Sequence, residues 1–173
     1  MKDIILTGPK YSGKTSAGKI LASLCSCVFI DLDELILQRT GKTPRRLFCD
    51  GQDVFKKAEA EAMTALANSG GAGQRRVIAA GGGIIDNEEA LAILKKIDAI
   101  IVYLNVSADC AWNRITADEE LPPFLKTENP QETHRTLHER RAASCLQIAN
   151  IVIDAEGKTP EETAIELFGN FGC

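Results

Sequence analysis

The sequence lacks the features of secreted, zinc-binding and membrane-spanning proteins. Its six cysteines form no Cys-x-x-Cys pair and accompany only two histidines, which argues against a zinc site and, at this size, against a disulfide framework. No apolar run approaches the roughly 18 residues that a bilayer span needs. The first eight residues, MKDIILTG, form a short apolar run ending in glycine and have no signal-sequence pattern. We therefore expect a cytoplasmic protein with reduced thiols and no membrane partner.

An excess of positive charge is also absent. Lys and Arg number 20 against 24 Asp and Glu, which gives a net charge of −4, so no basic surface for nucleic acid is expected. A chain of 173 residues is long enough for one domain with a substantial core and too short for two. We predict a single domain over residues 1–173 and, because no exposed apolar stripe stands out, a monomer.

Five short apolar runs alternate with helical patterns along the chain. None of the runs alternates with polar residues, as expected for parallel strands that helices cover on both faces. The runs are Ile4–Leu6, Val28–Ile30, Val77–Ala79, Ile100–Leu104 and Ile151–Ile153, and helices are predicted near 14–24, 33–39, 53–67, 87–97, 107–116, 130–148 and 160–168. This order predicts a three-layer α/β domain with a five-stranded parallel sheet and right-handed crossovers.

Several helix starts and two irregular segments are readable from local residue types. Asp53 can cap the third helix, Asn129 before Pro130 can open the long one, and Thr159 with Glu162 forms a capping box. The glycine-rich stretch 69–76 predicts a surface loop before the third strand. The stretch 116–128 carries charges, prolines and little periodicity, and we interpret it as a mobile lid.

A phosphate-binding loop follows the first strand. Residues Gly8–Thr15 match G-x-x-x-x-G-K-[ST], with an apolar strand before them and a helical run after them. Backbone N–H groups of such a turn and the helix dipole converge on an anion. Lys14 adds a point charge for the β- and γ-phosphates, and the Thr15 hydroxyl can ligate Mg²⁺. The residues expected to hold ATP are Gly8, Lys10, Tyr11, Ser12, Gly13, Lys14, Thr15 and Ser16.

The alternative for this loop is a glycine turn with an incidental lysine, and its position at the first strand–helix junction argues against that. The base-reading Asn-Lys-x-Asp string of GTPases does not occur, and motor or transport ATPases need far more chain. The pattern therefore favours a small kinase that phosphorylates a metabolite or nucleotide.

Two further groups follow the second and third strands. Asp31 and Asp33 lie at the strand end where α/β proteins bind ligands. One can act through magnesium and the other can accept a proton from an attacking hydroxyl. Alternatively, Asp33 merely caps the next helix. Gly81–Gly83 follow the third strand and either permit close approach to a substrate or form an ordinary loop that needs positive φ.

Taken together, these residues resemble the shikimate kinase family over nearly the whole chain. The family carries a P-loop, an Asp-x-Asp pair, a Phe-Arg-x-x-Glu helix, a Gly-Gly-Gly turn, an Arg-Pro lid and a late helical arginine. The same order occurs here in Gly8–Thr15, Asp31 with Asp33, Phe55–Glu59, Gly81–Gly83, Pro122–Leu125 and Arg141. The resemblance implies a P-loop nucleoside-kinase-like fold and transfer of phosphate from ATP to the 3-hydroxyl of shikimate.

The resemblance also assigns roles to residues. Lys14 and Asp33 would be catalytic, Asp33 as the base that also holds the substrate hydroxyls. Asp31, through water, would join Thr15 in holding Mg²⁺. Arg114 would stack on adenine, or alternatively it is a solvated arginine at a helix end. The substrate would be bound by Asp33, Lys56, Gly81, Gly82, Gly83 and Arg141.

Three positions depart from the family pattern. Tyr11 replaces a P-loop glycine, at a position that the motif leaves free. Lys56 replaces an arginine, so charge remains without the bidentate fork; alternatively it is an exposed lysine paired with Glu59. Leu121–Pro123 replace the lid Arg-Pro, and Lys126 or Arg114 would have to supply the missing cation. A related kinase for gluconate and a catalytically impaired nucleotide-binding homologue therefore remain alternatives.

Overall fold

Five parallel strands form the centre of the protein. The structure, a computed structural model, describes residues 2–69, 73–117 and 120–171. The strands are β1 (Asp3–Thr7), β2 (Val28–Asp31), β3 (Arg76–Ala79), β4 (Ala99–Asn105) and β5 (Ile151–Asp154), in the spatial order β2-β3-β1-β4-β5. All four pairings are parallel. The predicted strands and the predicted α/β class are confirmed.

The helices cover both faces of this sheet. They are α1 (Lys14–Leu24), α2 (Leu32–Thr40), α3 (Pro44–Asp50), α4 (Gln52–Asn68), α5 (Glu88–Leu94), α6 (Ala108–Thr116), α7 (Pro130–Ile148) and α8 (Pro160–Phe171), and short 3-10 turns span Gly82–Asp86 and Pro123–Leu125. In the described parts of the chain, none of the helices has the length and apolar character needed to cross a membrane.

The central strand explains the unbroken apolar runs. Every residue of β1 is buried, because Ile5 joins the core cluster on one face of the sheet while Ile4 and Leu6 join the cluster on the other. A strand with helices on both faces has no polar side to present to water. Full burial of each such side chain is worth about 1.5–3 kcal/mol, so β1 holds the two layers of helices together.

One helix was missed by the sequence prediction. The seven-residue α3 begins after Thr43, whose hydroxyl accepts a hydrogen bond from the backbone N–H of Arg46 (3.2 Å), and Pro44 occupies its first position. Threonine followed by proline is a readable helix start, but seven residues are too few for a clear apolar period. The omission matters because α3 forms part of the site described below.

The predicted helix starts have mixed outcomes. The Thr159 capping box is confirmed: Thr159 N–H donates to Glu162 Oε2 (2.8 Å) and Glu162 N–H donates to Thr159 Oγ1 (3.1 Å). The Asp53 cap is wrong, because α4 begins at Gln52 after Gly51, and Asp53 lies in the first turn. Asn129 precedes Pro130 as predicted, without a side-chain cap bond. Of the predicted glycine-rich loop, residues 70–72 lie outside the described residues.

A buried ion pair joins β1 to β3 at their amino ends. Asp3 accepts hydrogen bonds from the Arg76 backbone N–H (2.9 Å) and from Arg76 Nε (3.0 Å), and Arg76 Nη1 donates to the Leu66 carbonyl at the end of α4 (2.8 Å). Both residues are 8% exposed. The pair thus connects two strands and one helix at the amino ends of the strands, away from the P-loop, which follows the carboxyl end of β1.

We expect Asp3→Ala to destabilise the fold by about 3–5 kcal/mol, because it leaves the Arg76 guanidinium buried without its carboxylate. The matched control is Asp98→Ala, which removes the exposed partner of Lys2 (3.4 Å) and should change stability by less than about 1 kcal/mol. Urea unfolding followed by circular dichroism measures both values. Equal losses in the two variants would contradict a structural role for the buried pair.

Candidate active site

A cavity of about 670 Å³ lies at the carboxyl end of the sheet, within the range of small-molecule sites. Its walls come from the P-loop, the residues after β2 and β3, and the helices α3, α4 and α7. The predicted site residues that line it are Gly8, Lys10, Tyr11, Gly13, Lys14, Thr15, Ser16, Asp31, Asp33, Gly81, Gly82, Gly83 and Arg141. Ser12, Lys56 and Arg114 are not part of its lining.

The P-loop passes from β1 into α1 and encloses its own lysine. Gly13, with φ 91°, is the residue before α1, and this left-handed conformation suits glycine. Lys14 Nζ donates to the carbonyls of Gly8 (2.9 Å) and Pro9 (2.6 Å). Burial lowers the pKa of Lys14 to about 8, while Asp33 and Asp31 oppose that shift. A polyanion in the cradle would raise this pKa again, because it favours the charged form, so ligand binding and protonation of Lys14 are coupled.

Tyr11 has a backbone conformation that explains why its family counterpart is glycine. Its φ is 62°, in the left-handed region that costs a non-glycine residue about 1–2 kcal/mol. Its carbonyl accepts a hydrogen bond from Arg114 Nη1 (2.7 Å). The P-loop motif allows any residue at this position, but the left-handed backbone conformation favours glycine there. Arg114 therefore reaches the nucleotide loop, where it contacts the backbone.

Asp31 connects α1 and α2 through its two carboxylate oxygens. Oδ2 accepts a hydrogen bond from Thr15 Oγ1 (2.8 Å), and Oδ1 accepts one from the Asp33 backbone N–H (2.9 Å). The suggestion that Asp33 caps the helix is therefore wrong, because Asp31 is the cap and Asp33 lies in the first turn of α2. Asp33 is accessible from the cavity, yet the surrounding protein desolvates it. That desolvation, with the nearby Asp31 charge, raises its pKa.

The glycine turn after β3 packs against both the P-loop and α7. None of Gly81–Gly83 has a positive φ, so the alternative of an ordinary loop that needs one is wrong. A Cβ on Gly82 would lie 2.5 Å from the Gly8 carbonyl oxygen, and a Cβ on Gly83 would lie 3.3 Å from Arg141 Nη2. Gly82 therefore leaves room for the P-loop backbone, and Gly83 leaves room for the Arg141 guanidinium.

Arg141 is held in the cavity wall by an aspartate that the sequence prediction missed. Asp86 Oδ2 accepts from Arg141 Nε (2.8 Å), and Asp86 Oδ1 accepts from Arg140 Nη1 (2.7 Å). Burial tends to raise the pKa of Asp86, but the hydrogen bonds and charges of the two arginines lower it overall. The guanidinium carbon of Arg141 also lies 5.6 Å from the centre of the Phe124 ring. The orientation of Arg141 is thus determined before any ligand binds.

Comparison with known proteins places the chain in a family. The family model described as shikimate kinase matches residues 11–170. The chain belongs to the shikimate kinase family. The shikimate kinase of Thermodesulfovibrio yellowstonii is 34% identical over 172 residues, which cover 99% of this chain and 95% of that protein. Membership confirms the prediction of a phosphotransferase that acts on a hydroxyl group.

Solved structures agree with this fold. The shikimate kinase of Acinetobacter baumannii in complex with shikimate has a TM-score of 0.87 at 28% identity, over 98% of this chain and 92% of that one. A gluconokinase of Sinorhizobium meliloti has a TM-score of 0.63 at 14% identity, over 99% and 91% of the two chains, which shows the shared fold alone. The predicted P-loop kinase architecture is confirmed.

Lys56 differs from the family arginine in more than its head group. It is half-buried and is not among the residues that line the cavity. The alternative pairing with Glu59 is not found in the described structure, because Glu59 Oε2 accepts a hydrogen bond from Asn87 Nδ2 (2.9 Å). Burial is the main cause that raises the pKa of Glu59. Glu59 itself lines the cavity, so this family motif contributes a carboxylate to the site.

Other lining residues also escaped the sequence prediction. Phe48 of α3 lies between Phe55 and Phe124, with ring centres 6.3 and 6.2 Å away. His134 and His138 of α7 are buried, and burial lowers the pKa of each imidazole. Phe55 belonged to a recognised motif, but single aromatic and histidine residues at helical spacing are usual in cores, so nothing marked the others.

We expect Gly82→Ala to lower stability by about 1–3 kcal/mol, because the added methyl group would overlap the Gly8 carbonyl. The same displacement of the P-loop should weaken nucleotide binding. Gly81→Ala is the matched control: Gly81 has φ −62° and ψ 146°, and a Cβ there would meet nothing within 4 Å. Urea unfolding and titration with ATP measure the two effects. Similar behaviour of both variants would contradict the close-approach explanation.

Proposed function

We propose that this protein is an ATP-dependent kinase that phosphorylates the 3-hydroxyl of shikimate. The observation that carries the proposal is the convergence of Lys14, Asp33 and Arg141 on one cavity. A phosphate cradle, a carboxylate and a cation for an anionic acceptor are the groups this reaction needs. The shikimate complex of the Acinetobacter baumannii relative supports the choice of acceptor.

The nucleotide end of the cavity is the P-loop. The amides of Gly8–Thr15 and the start of α1 would hold the phosphates of ATP, and Lys14 would exchange its carbonyl partners for phosphate oxygens. Thr15 and Asp31 fit a magnesium ion, because a hydroxyl and a carboxylate oxygen lie 2.8 Å apart beside the cradle. When bound, Mg²⁺ would neutralise charge on the phosphates.

The acceptor end is formed by Asp33, the glycine turn and Arg141. Asp33 would orient the attacking hydroxyl and accept its proton, a role helped by its raised pKa. Arg141 would bind the substrate carboxylate with the guanidinium N–H groups that Asp86 does not use. Lys56, which does not line the cavity, would add only a longer-range attraction as a compact charge.

We further propose that residues 1–173 act as one kinase domain, with 116–128 as a lid over the acceptor. Within the described part of that segment, Leu125 is fully buried, so the lid has a hydrophobic anchor. A closed lid would keep water from competing with the acceptor for the transferred phosphoryl group. The proposal includes a monomer that works in the cytoplasm.

The first test is a coupled ADP-release assay with purified protein, ATP and Mg²⁺. We expect saturable turnover with shikimate and little with nucleoside monophosphates, because Arg141 and Asp33 are placed for a carboxylated polyol. Gluconate belongs to the same chemical class, so the assay compares it with shikimate directly. Turnover of gluconate without shikimate would replace the proposed substrate. Nucleotide binding without turnover of any acceptor would instead favour a catalytically impaired homologue.

The second test concerns Asp33. We expect Asp33→Asn to lower kcat by about 10²–10⁴-fold, because the amide cannot accept the proton. The matched control is Glu34→Gln, which removes only the exposed partner of Lys19 (3.8 Å). For the unmodified protein, kcat should fall on acidification as Asp33 becomes protonated. Because its pKa is raised, this limb should lie above the ordinary aspartate value of about 3.9. An unchanged acidic limb in Asp33→Asn would exclude Asp33 as the base.

A further inference from the structure

Helix α3 places an arginine in the cavity wall beneath the segment 120–125. Arg45 lies in the first turn of α3, in the position that follows Thr43 and Pro44. Its side chain lines the same cavity as Lys14 and Asp33. The adjacent Arg46 does not line the cavity. Its Nε instead pairs with Asp50 Oδ1 of the same helix (3.2 Å).

Arg45 is bonded to the segment 120–125 at two points. Its Nη2 donates to the backbone carbonyl of Leu121 (2.9 Å) and lies 2.7 Å from Glu120 Oε2. The other Glu120 oxygen accepts a hydrogen bond from Lys126 Nζ (2.6 Å). We call Arg45, Glu120 and Lys126 the Glu120 clasp. Its one carboxylate serves two cations, so the clasp carries a net positive charge at the rim of the cavity.

Aromatic contacts extend the clasp into the acceptor end. Phe48 lies one turn after Arg45 on α3 and contacts Phe124 edge-to-face, with ring centres 6.2 Å apart. The Phe124 ring also packs against Arg141, whose guanidinium carbon lies 5.6 Å from the ring centre. The segment 120–125 is therefore attached to α3 at its start and to the proposed acceptor site near its end.

The other charged groups that line the cavity have different anchors. Lys14 is bonded to P-loop carbonyls, and Arg141 is bonded to Asp86. Arg141 contacts the segment 120–125 through the Phe124 ring, whereas Arg45 holds it by a hydrogen bond to the Leu121 carbonyl and an ion pair with Glu120. The segment has no arginine of its own, so the guanidinium at this position comes from α3.

We propose that Arg45 is a positioning residue that holds the segment 120–125 against the acceptor end of the cavity and so limits access of water to the transferring phosphoryl group. The proposal rests on the kinase function proposed above. Exposed ion pairs are individually weak, which suits a segment that must open for substrate entry and product release. The hydrogen bond from Arg45 to the Leu121 carbonyl also orients the segment, because it fixes the backbone immediately before Pro122.

The first experiment needs no turnover. Hydrogen–deuterium exchange of the ligand-free protein reports on the amides of Leu125, Lys126 and Thr127, which donate to Pro122, Pro123 and Leu125 at 2.9, 3.2 and 2.9 Å. We expect Arg45→Ala to speed exchange of these amides several-fold and Arg46→Ala to leave it unchanged. Thermal unfolding of both variants verifies that each is folded. Equal exchange in the two variants would overturn the proposal.

The second experiment measures coupling during turnover. The ratio of ADP formed to phosphorylated acceptor formed should be close to one in the unmodified protein and in Arg46→Ala. In Arg45→Ala we expect that ratio and the KM for the acceptor to rise several-fold, with partial recovery in Arg45→Lys. Glu120→Gln should raise the same ratio and the same KM by a smaller factor, because the hydrogen bond from Arg45 to the Leu121 carbonyl remains.

The outcomes separate the two proposals. If the unmodified protein does not phosphorylate shikimate, the proposed function fails, while the exchange experiment still tests the clasp. If Arg45→Ala lowers kcat but changes neither exchange nor coupling, Arg45 contacts the reacting groups directly and its role as a positioning residue is overturned.

Discussion

The arrangement of the site depends on two hydrogen bonds that the Asp31 carboxylate accepts. One of its oxygens accepts the Thr15 hydroxyl at the start of α1, and the other caps α2 through the Asp33 backbone N–H. The carboxylate thus links the phosphate cradle to the first turn of the helix that carries the proposed base. A side chain that satisfies orphan N–H groups at a helix start contributes about 1 kcal/mol. Here the same contact also determines how far Asp33 lies from the P-loop.

The cations of the cavity follow a common rule. Each has an internal partner before any ligand binds: carbonyl oxygens for Lys14, Asp86 for Arg141 and Glu120 for Arg45. Such partners reduce the cost of keeping charge in a partly desolvated space, and they set the orientation of each side chain. An anionic ligand then has to replace or share existing bonds. Discrimination therefore depends on geometry as well as on charge, because a ligand that cannot reach the remaining N–H groups gains little.

Much of the fold was predictable from the sequence because the physics is local. Buried parallel strands give unbroken apolar runs. A P-loop is recognised by the fixed spacing of its glycines, lysine and threonine along the chain. The contacts that shape the acceptor end are less local. Asp86 lies 55 positions from Arg141, and Arg45 lies 76 positions from Leu121. A pattern along the chain does not contain such pairs, and α3 was too short to show a period. That Asp31 and not Asp33 caps α2 was hidden for another reason: aspartate is a good cap at either position, and only the backbone conformation decides between them.

The departures from the family pattern are best understood together. Lys56 lacks the planar fork and does not line the cavity, while Arg141 has its fork and is oriented by Asp86. The segment 120–125 lacks the arginine of the family pattern, while α3 has an arginine that reaches the backbone of this segment just before Pro122. Positive charge at the cavity is thus present in both cases, on Arg141 in the first and on Arg45 in the second, and only in the second does it come from a different element. Electrostatic attraction varies slowly with distance, whereas a bidentate contact demands a fixed geometry. A site can therefore keep its overall potential through such exchanges, and the acceptor end of the cavity is where their effect on specificity should be concentrated.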